Sequence, residues 1–158
     1  MTAQPNALSL HEGAAPSLAP AKGFHAGIAG LGMCVPDRIL TNDDLAKMVD
    51  TTDEWITKRT GIRERRVSDP ATATSDLATV AAERALADAG IAASDLDLVL
   101  CATATGDYLW PATACIIQNR LGATRAAAFD LSAACSGFCY GLATAAGFIQ
   151  SGAMRRMR

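Results

Sequence analysis

From residue 95 onward, apolar runs and amphipathic runs take turns, and this alternation constrains the fold more than any other feature. DLDLVLCATAT (95–105) has the continuous apolar centre of a strand buried on both faces. PATACIIQNRLG (111–122) reads as a helix, with Pro111 in its first turn and Gly122 ending it. AAAFDLSA (126–133) is a second buried strand, and SGFCYGLATAAGFIQSG (136–152) a helix that stops near Gly152. Strands that alternate with helices predict an α/β layered fold around a parallel sheet.

Upstream the pattern is shorter-ranged. GFHAGIAGLGMCVP (23–36) predicts an apolar strand ended by Pro36. TNDDLAKMVD predicts a helix capped by Thr41 or Asn42, with acids in its first turn. In TTDEWITKRTG, Thr51 and Glu54 have capping-box spacing and Gly61 is a natural stop. IRERRV reads as a short exposed strand. TSDLATVAAERALADAGI puts Leu77, Val80, Ala81 and Leu86 near one helical face, with Thr74 or Ser75 as cap and Gly90 as terminator.

Residues 1–22 have neither the basic start and apolar stretch of a signal peptide nor the arginines of a transit peptide, and read as a flexible tail. Residues 23–158 then form one partial domain. After SGAM the chain reads RRMR, where a crossover helix should return the chain to the sheet. The expectation is a fold cut short.

Composition narrows the partners. A net charge of -2 gives no electrostatic case for nucleic acid or an anionic membrane. No apolar run approaches the roughly 20 residues that cross a bilayer. Five cysteines without a CxxC pair argue against a disulfide framework or a zinc site, and fit a reducing cytoplasm with most thiols as core filler. No GxGxxG follows a strand, and metal-ligand spacing is absent.

Three positions carry candidate chemistry. Cys135 follows an apolar strand and opens a helix, so unpaired N–H groups and the positive helix end would face its thiol and favour thiolate. Small neighbours (Ala133, Ala134, Ser136, Gly137) leave room for a thioester carbonyl, and the turn's N–H groups for an oxyanion. The plainer alternative is a cysteine packed in a crowded corner, as expected of Cys139 one turn later. Neither His11 nor His25 is placed opposite Cys135 as a base. Trp55, followed by Lys58, Arg59, Arg63, Arg65 and Arg66, suits an adenine ring with phosphates, or else a half-buried tryptophan on a solvated face. Trp110 before Pro111 either lines a pocket or anchors its loop.

Taken together, TNDDLAKMVDTTDEWITKRTGIRERR, PATACIIQNRLG and AFDLSAACSGFCYGL, in this order and spacing, resemble the β-ketoacyl-acyl-carrier-protein synthase III family, over about residues 25 to 154. DTTDEWITKRTGIRER is the most specific of these stretches, while the cysteine motif is shared with other thiolase-like proteins. The resemblance implies a thiolase-like fold, here the incomplete N-terminal half of a five-layered α-β-α-β-α core, and the initiating condensation of type II fatty acid synthesis. It implies Cys135 as the nucleophile that takes an acyl group from acyl-CoA before malonyl-acyl-carrier protein condenses with it. It places Trp55 and Thr51 at the CoA adenine and Arg59 near the nucleotide phosphates. Trp110 matches an aromatic position, usually phenylalanine, that reaches across the family's homodimer interface into the neighbour's acyl pocket. The family's catalytic histidine and asparagine belong to its second half, as does a glycine of the oxyanion hole, and this sequence holds none of the three. A cytoplasmic acyltransferase that needs no bound cofactor or metal is implied. The alternatives are a non-catalytic fragment, and a related thiolase-fold acyltransferase or polyketide-starter synthase.

Overall fold

The computed structural model describes residues 25–154, so the expected tail, His11 and the RRMR end lie outside the described residues. In chain order the elements are β1 (Ile39–Thr41), α1 (Asn42–Ala46), α2 (Asp53–Thr60), β2 (Glu64–Arg66), α3 (Thr74–Ala89), β3 (Leu98–Ala102), α4 (Thr113–Leu121), β4 (Ala127–Leu131) and α5 (Gly137–Gln150). Short 3₁₀ turns at Ala93–Asp95 and Ala134–Ser136 precede β3 and α5.

The predicted parallel pairing is present. β3 and β4 run parallel in the register Leu98↔Ala127 to Ala102↔Leu131. Side chains alternate across the pleat, which assigns each helix to a face. Leu100 and Phe129 face α5: Leu100 lies against Gly141, and the Phe129 and Phe148 rings meet edge-on at 6.4 Å. Asp130, one residue on, faces α4 and bonds its first N–H groups. The result is helix, sheet, helix.

The strands are less buried than their apolar runs predict. Leu98 is buried, but Val99, Leu100, Cys101, Phe129 and Leu131 are only half-buried. β3 pairs with β4 alone among the described residues, so its second edge has no strand partner there. The tightest core lies where α4 meets the sheet, at Ala114, Ile117, Ala123 and Ala126. Burying a side chain such as Ile117 contributes roughly 1.5–3 kcal/mol.

The predicted strand at 23–36 does not form within its described part. Residues 25–36 run as irregular chain along α3, two of whose side chains bond its backbone. Leu31 N–H donates to Asp88 Oδ2 at 2.9 Å, and Arg84 Nη1 donates to the Met33 carbonyl at 2.5 Å. Gly30 and Gly32 permit this path, because a Cβ on either would strike the backbone of Ala81, Ala85 or Ala89. Glycine weakens a strand and favours such close approach.

Strand β1 pairs antiparallel with β2 in the register Ile39↔Arg66 to Thr41↔Glu64. Thr41 caps α1 through a reciprocal box with Asp44. Two other caps differ from expectation. Thr52, not Thr51, caps α2, its hydroxyl accepting Trp55 N–H at 3.1 Å, and Glu54 closes no box. Ala73 occupies the cap of α3, so neither Thr74 nor Ser75 does; Asp76 instead accepts the Ala73 N–H at 2.7 Å. Pro111 stands before the α4 cap Ala112, joined to Trp110 by a cis peptide, rather than in the first turn. Gly61, Gly90 and Gly122 end their helices in the left-handed region, as predicted.

Candidate active site

Cys135 sits where β4 gives way to α5. Two closely packed glycines fix that junction: Gly137 and Gly141 are buried, with Ala102 and Leu100 against them. The chain then turns sharply. Ala134 adopts φ 45°, a conformation that costs a non-glycine residue on the order of 1–3 kcal/mol. The strain falls on the residue immediately before the thiol. Cys135 itself is exposed, within the 3₁₀ turn rather than on the helix proper. Ser136 makes no side-chain cap, and the Gly137 N–H at the start of α5 donates to the Ala134 carbonyl.

The other thiols divide differently from expectation. Cys34, Cys101 and Cys115 are half-buried, but Cys139 is exposed like Cys135, so it is not packed into a core among the described residues. Burial pushes the Cys101 thiol up to about 11, with help from the Asp130 and Asp107 charges. His25 is exposed at the start of the described chain.

A second cluster lies on α2. Trp55 and Arg59, four residues apart, share one face of α2, and Thr51 lies just before its cap Thr52. The Arg59 guanidinium stacks 4.5 Å from the Trp55 ring centroid. Beside them opens a hollow of about 680 Å³, lined by Thr51, Thr52, Trp55, Ile62 and Arg65 among others. Trp55 is 53% exposed, and the Thr51 hydroxyl is buried without a hydrogen-bond partner. Part of the basic run serves the fold. Arg65 donates to Asn42 Oδ1 at 2.9 Å, and Arg66 to the carbonyls of Pro36 and Asp37.

Trp110 occupies the exposed tip of the loop between β3 and α4, beside Tyr108 and Leu109. The structure therefore groups Thr51, Trp55 and Arg59, and leaves Cys135 and Trp110 on other elements; neither lines the hollow beside Trp55. A separate apolar hollow of about 500 Å³, between residues 26–30, α3, β3 and α5, includes none of the five.

Known proteins match this arrangement. The family model for 3-oxoacyl-[acyl-carrier-protein] synthase III matches residues 129–157, which include the Cys135 turn. A β-ketoacyl-[acyl-carrier-protein] synthase III of Caldanaerobacter subterraneus subsp. tengcongensis is 59% identical over 132 residues, 84% of this chain and 40% of the relative. That of Geobacillus kaustophilus is 58% identical over 130 residues, 82% of this chain and 42% of the relative. The chain belongs to the synthase III family. It spans about two fifths of the length of these relatives.

Solved structures agree. The Aquifex aeolicus enzyme superposes with a TM-score of 0.76 at 49% identity, covering 82% of this chain and 41% of that one. The priming β-ketosynthase of the R1128 polyketide pathway gives 0.79 at 38% identity, covering 87% and 41%. The described residues thus carry part of a thiolase-like α/β fold. No described helix is long and apolar enough to cross a membrane.

Sequence reasoning missed the residues that hold the synthase III loops in place. Asn42, Ser75, Asp107, Thr113 and Asp130 are polar groups whose partners lie far along the chain. One signal was readable: an aspartate inside AAAFDLSA is out of place in an apolar strand unless something donates to it.

Proposed function

We propose that this chain supplies the acyl-accepting cysteine and the CoA-binding surface of an initiating β-ketoacyl-acyl-carrier-protein synthase. The observation that carries this is the exposed Cys135 in the strained turn before an uncapped helix start, in a chain 59% identical to a synthase III.

The Cys135 thiolate attacks the acyl-CoA thioester carbonyl. A new C–S bond forms, the oxyanion is held by backbone N–H groups, and CoA leaves as its thiolate and takes up a proton. Malonyl-acyl-carrier protein then loses carbon dioxide, and the resulting carbanion attacks the acyl-cysteine carbonyl. The C–C bond forms, Cys135 thiolate is expelled, and a β-ketoacyl-carrier protein departs. The decarboxylating step uses the histidine and asparagine of the family's second half.

At the CoA end, the free face of Trp55 takes the adenine and the orphaned Thr51 hydroxyl gains a partner there. Arg59, already stacked on the indole, offers its N–H groups to the phosphates. Trp110, bulkier than the family's phenylalanine, shapes the acyl pocket of a neighbouring copy in a homodimer. Acyl-CoA is a substrate, and no bound cofactor is required in the cytoplasm.

Incubation with acetyl-CoA followed by intact-mass analysis tests the reading. Acetylation lost in Cys135→Ala and kept in Cys139→Ala supports it, whereas an acyl adduct that persists in Cys135→Ala ends it.

A second reading keeps the cysteine chemistry and changes the product. The likeness to a polyketide priming ketosynthase favours starter-unit condensation. Turnover with the carrier protein of a polyketide pathway, set against that of fatty acid synthesis, separates the two. A non-catalytic role for the 158-residue chain is the outcome if it takes an acyl group but yields no β-keto product.

A further inference from the structure

The loop between β3 and α4 carries its most exposed apolar side chains directly beside its most firmly held polar ones. Tyr108, Leu109 and Trp110 stand 66%, 104% and 87% exposed, while Ser75 and Thr113 are fully buried. Asp107 joins the two regimes. Its carboxylate accepts the Ser75 N–H at 2.9 Å and the Ser75 hydroxyl at 2.5 Å, and so caps α3 from a residue 32 positions away. Its own N–H donates to Thr113 Oγ1 at 3.0 Å. Arg120 completes the set from α4, donating to Ser75 Oγ at 2.9 Å and to Asp76 at 2.7 Å. The Thr74 hydroxyl holds the Thr105 carbonyl at 2.6 Å.

The same chain of bonds reaches the nucleophile's strand. Asp130 accepts the N–H groups of Thr113 and Ala114 at 2.8 and 2.7 Å. β4 ends one residue after Asp130, and Cys135 lies five positions along the chain from that carboxylate. Tip and thiol are therefore referenced to one polar frame that spans α3, α4 and β4.

We propose that Asp107, locked onto buried Ser75, is a positioning residue that fixes the Trp110 loop for acyl-group selection. The inference rests on the reading of Trp110 as an acyl-pocket residue. Charge-assisted bonds to a backbone N–H and a buried hydroxyl hold geometry more firmly than neutral ones. Asparagine at position 107 is nearly isosteric but offers one acceptor oxygen for two donors, so it loosens the loop without opening a cavity.

Two measurements test the tether. In a Trp55→Phe background Trp110 is the sole tryptophan, and Asp107→Asn should lower its fluorescence anisotropy. In the 158-residue protein with native Trp55, Asp107→Asn should change the ratio of Cys135 acylation rates by acetyl-CoA and octanoyl-CoA roughly tenfold, the scale on which apolar pockets sort single methylenes. A merely structural residue lowers both rates together and leaves the ratio alone. Unchanged anisotropy overturns the proposal, as does an unchanged ratio in Asp107→Asn when Trp110→Ala does shift it. If Trp110→Ala leaves the ratio unchanged, the acyl-pocket reading fails instead, and the anisotropy alone decides the tether.

Discussion

Asn42 and Asp53 meet across the turn from α1 to α2, Nδ2 to Oδ1 at 2.7 Å. The same amide donates to the Ile62 carbonyl at 2.8 Å, and its oxygen accepts from Arg65 at 2.9 Å. Asn42 is 1% exposed, so one side chain fastens α1, the start of α2 and β2 from the inside. That bond, ahead of the smaller contributions of Thr57 and Arg63, holds the Asp53 carboxyl below the usual carboxylate range despite some desolvation.

Asn42→Ala should therefore destabilise the protein by about 3 kcal/mol, because a satisfied buried amide is replaced by orphaned partners. Urea denaturation reads the loss. The surface that presents Trp55 moves with it, so CoA affinity should fall in the same variant. A change below about 0.5 kcal/mol, the range of ordinary surface substitutions, would show that the hub is dispensable.

The two adjacent threonines make a sharper comparison. Thr52 caps α2, and Thr52→Ala should cost about 1 kcal/mol. Thr51 does the opposite work. Its hydroxyl is buried and unpaired, so Thr51→Val should stabilise the free protein by roughly 1 kcal/mol while weakening CoA binding. Thermal melts and a CoA titration of both variants check this. Equal losses of stability in the two would contradict the assignment of the cap.

The sequence showed capping-box spacing at Thr51 and Glu54, yet the helix starts one residue later. Spacing alone cannot tell which of two threonines has the extended backbone that lets a hydroxyl reach inward. Periodicity revealed α3, α4, α5 and the parallel pair because each is set by a local run of side chains. The strand at 23–36 failed for the converse reason. Its apolar residues fit a strand, but its glycines let the chain lie close against α3, whose Asp88 and Arg84 bond the Leu31 N–H and the Met33 carbonyl. Of the proposed site residues, Cys135, Trp55 and the basic run that holds Arg59 stood out by position, whereas Thr51 entered only through the family resemblance. The frame beneath them, Asp107 to Ser75 and Asp130 to Thr113, joins residues 17 to 32 positions apart, which no local pattern records.

Thiol reactivity should separate by environment. Cys101, pushed up to about 11, stays protonated and half-buried at pH 8, whereas Cys135 and Cys139 are exposed. Iodoacetamide at pH 8 should label Cys135 and Cys139 well before Cys101 in a peptide map. Stability linkage follows from the same shift. Folding keeps Cys101 neutral, so its contribution is full below the ordinary thiol value of 9.0 and is lost as pH rises from there through about 11. Cys101→Ser should flatten that part of the stability-versus-pH curve, and an unaltered curve would place the alkaline loss elsewhere.

Asp130 gives the last test. Its two oxygens accept the first two N–H groups of α4, so a strand residue caps a helix that has no side-chain cap of its own. A carboxylate there also meets the positive helix end. Asp130→Asn keeps the shape but removes the charge and one acceptor, and should cost about 1–2 kcal/mol, the scale of a lost N-cap. Asp130→Ala should cost more, since both N–H groups then lack a protein partner in a part-buried site. Hydrogen exchange separates this from general loosening: the amides of Thr113 and Ala114 should lose protection first, with Ile117 near the helix centre following only at the global unfolding rate. If all three amides lose protection together, Asp130 supports the whole sheet rather than the start of α4.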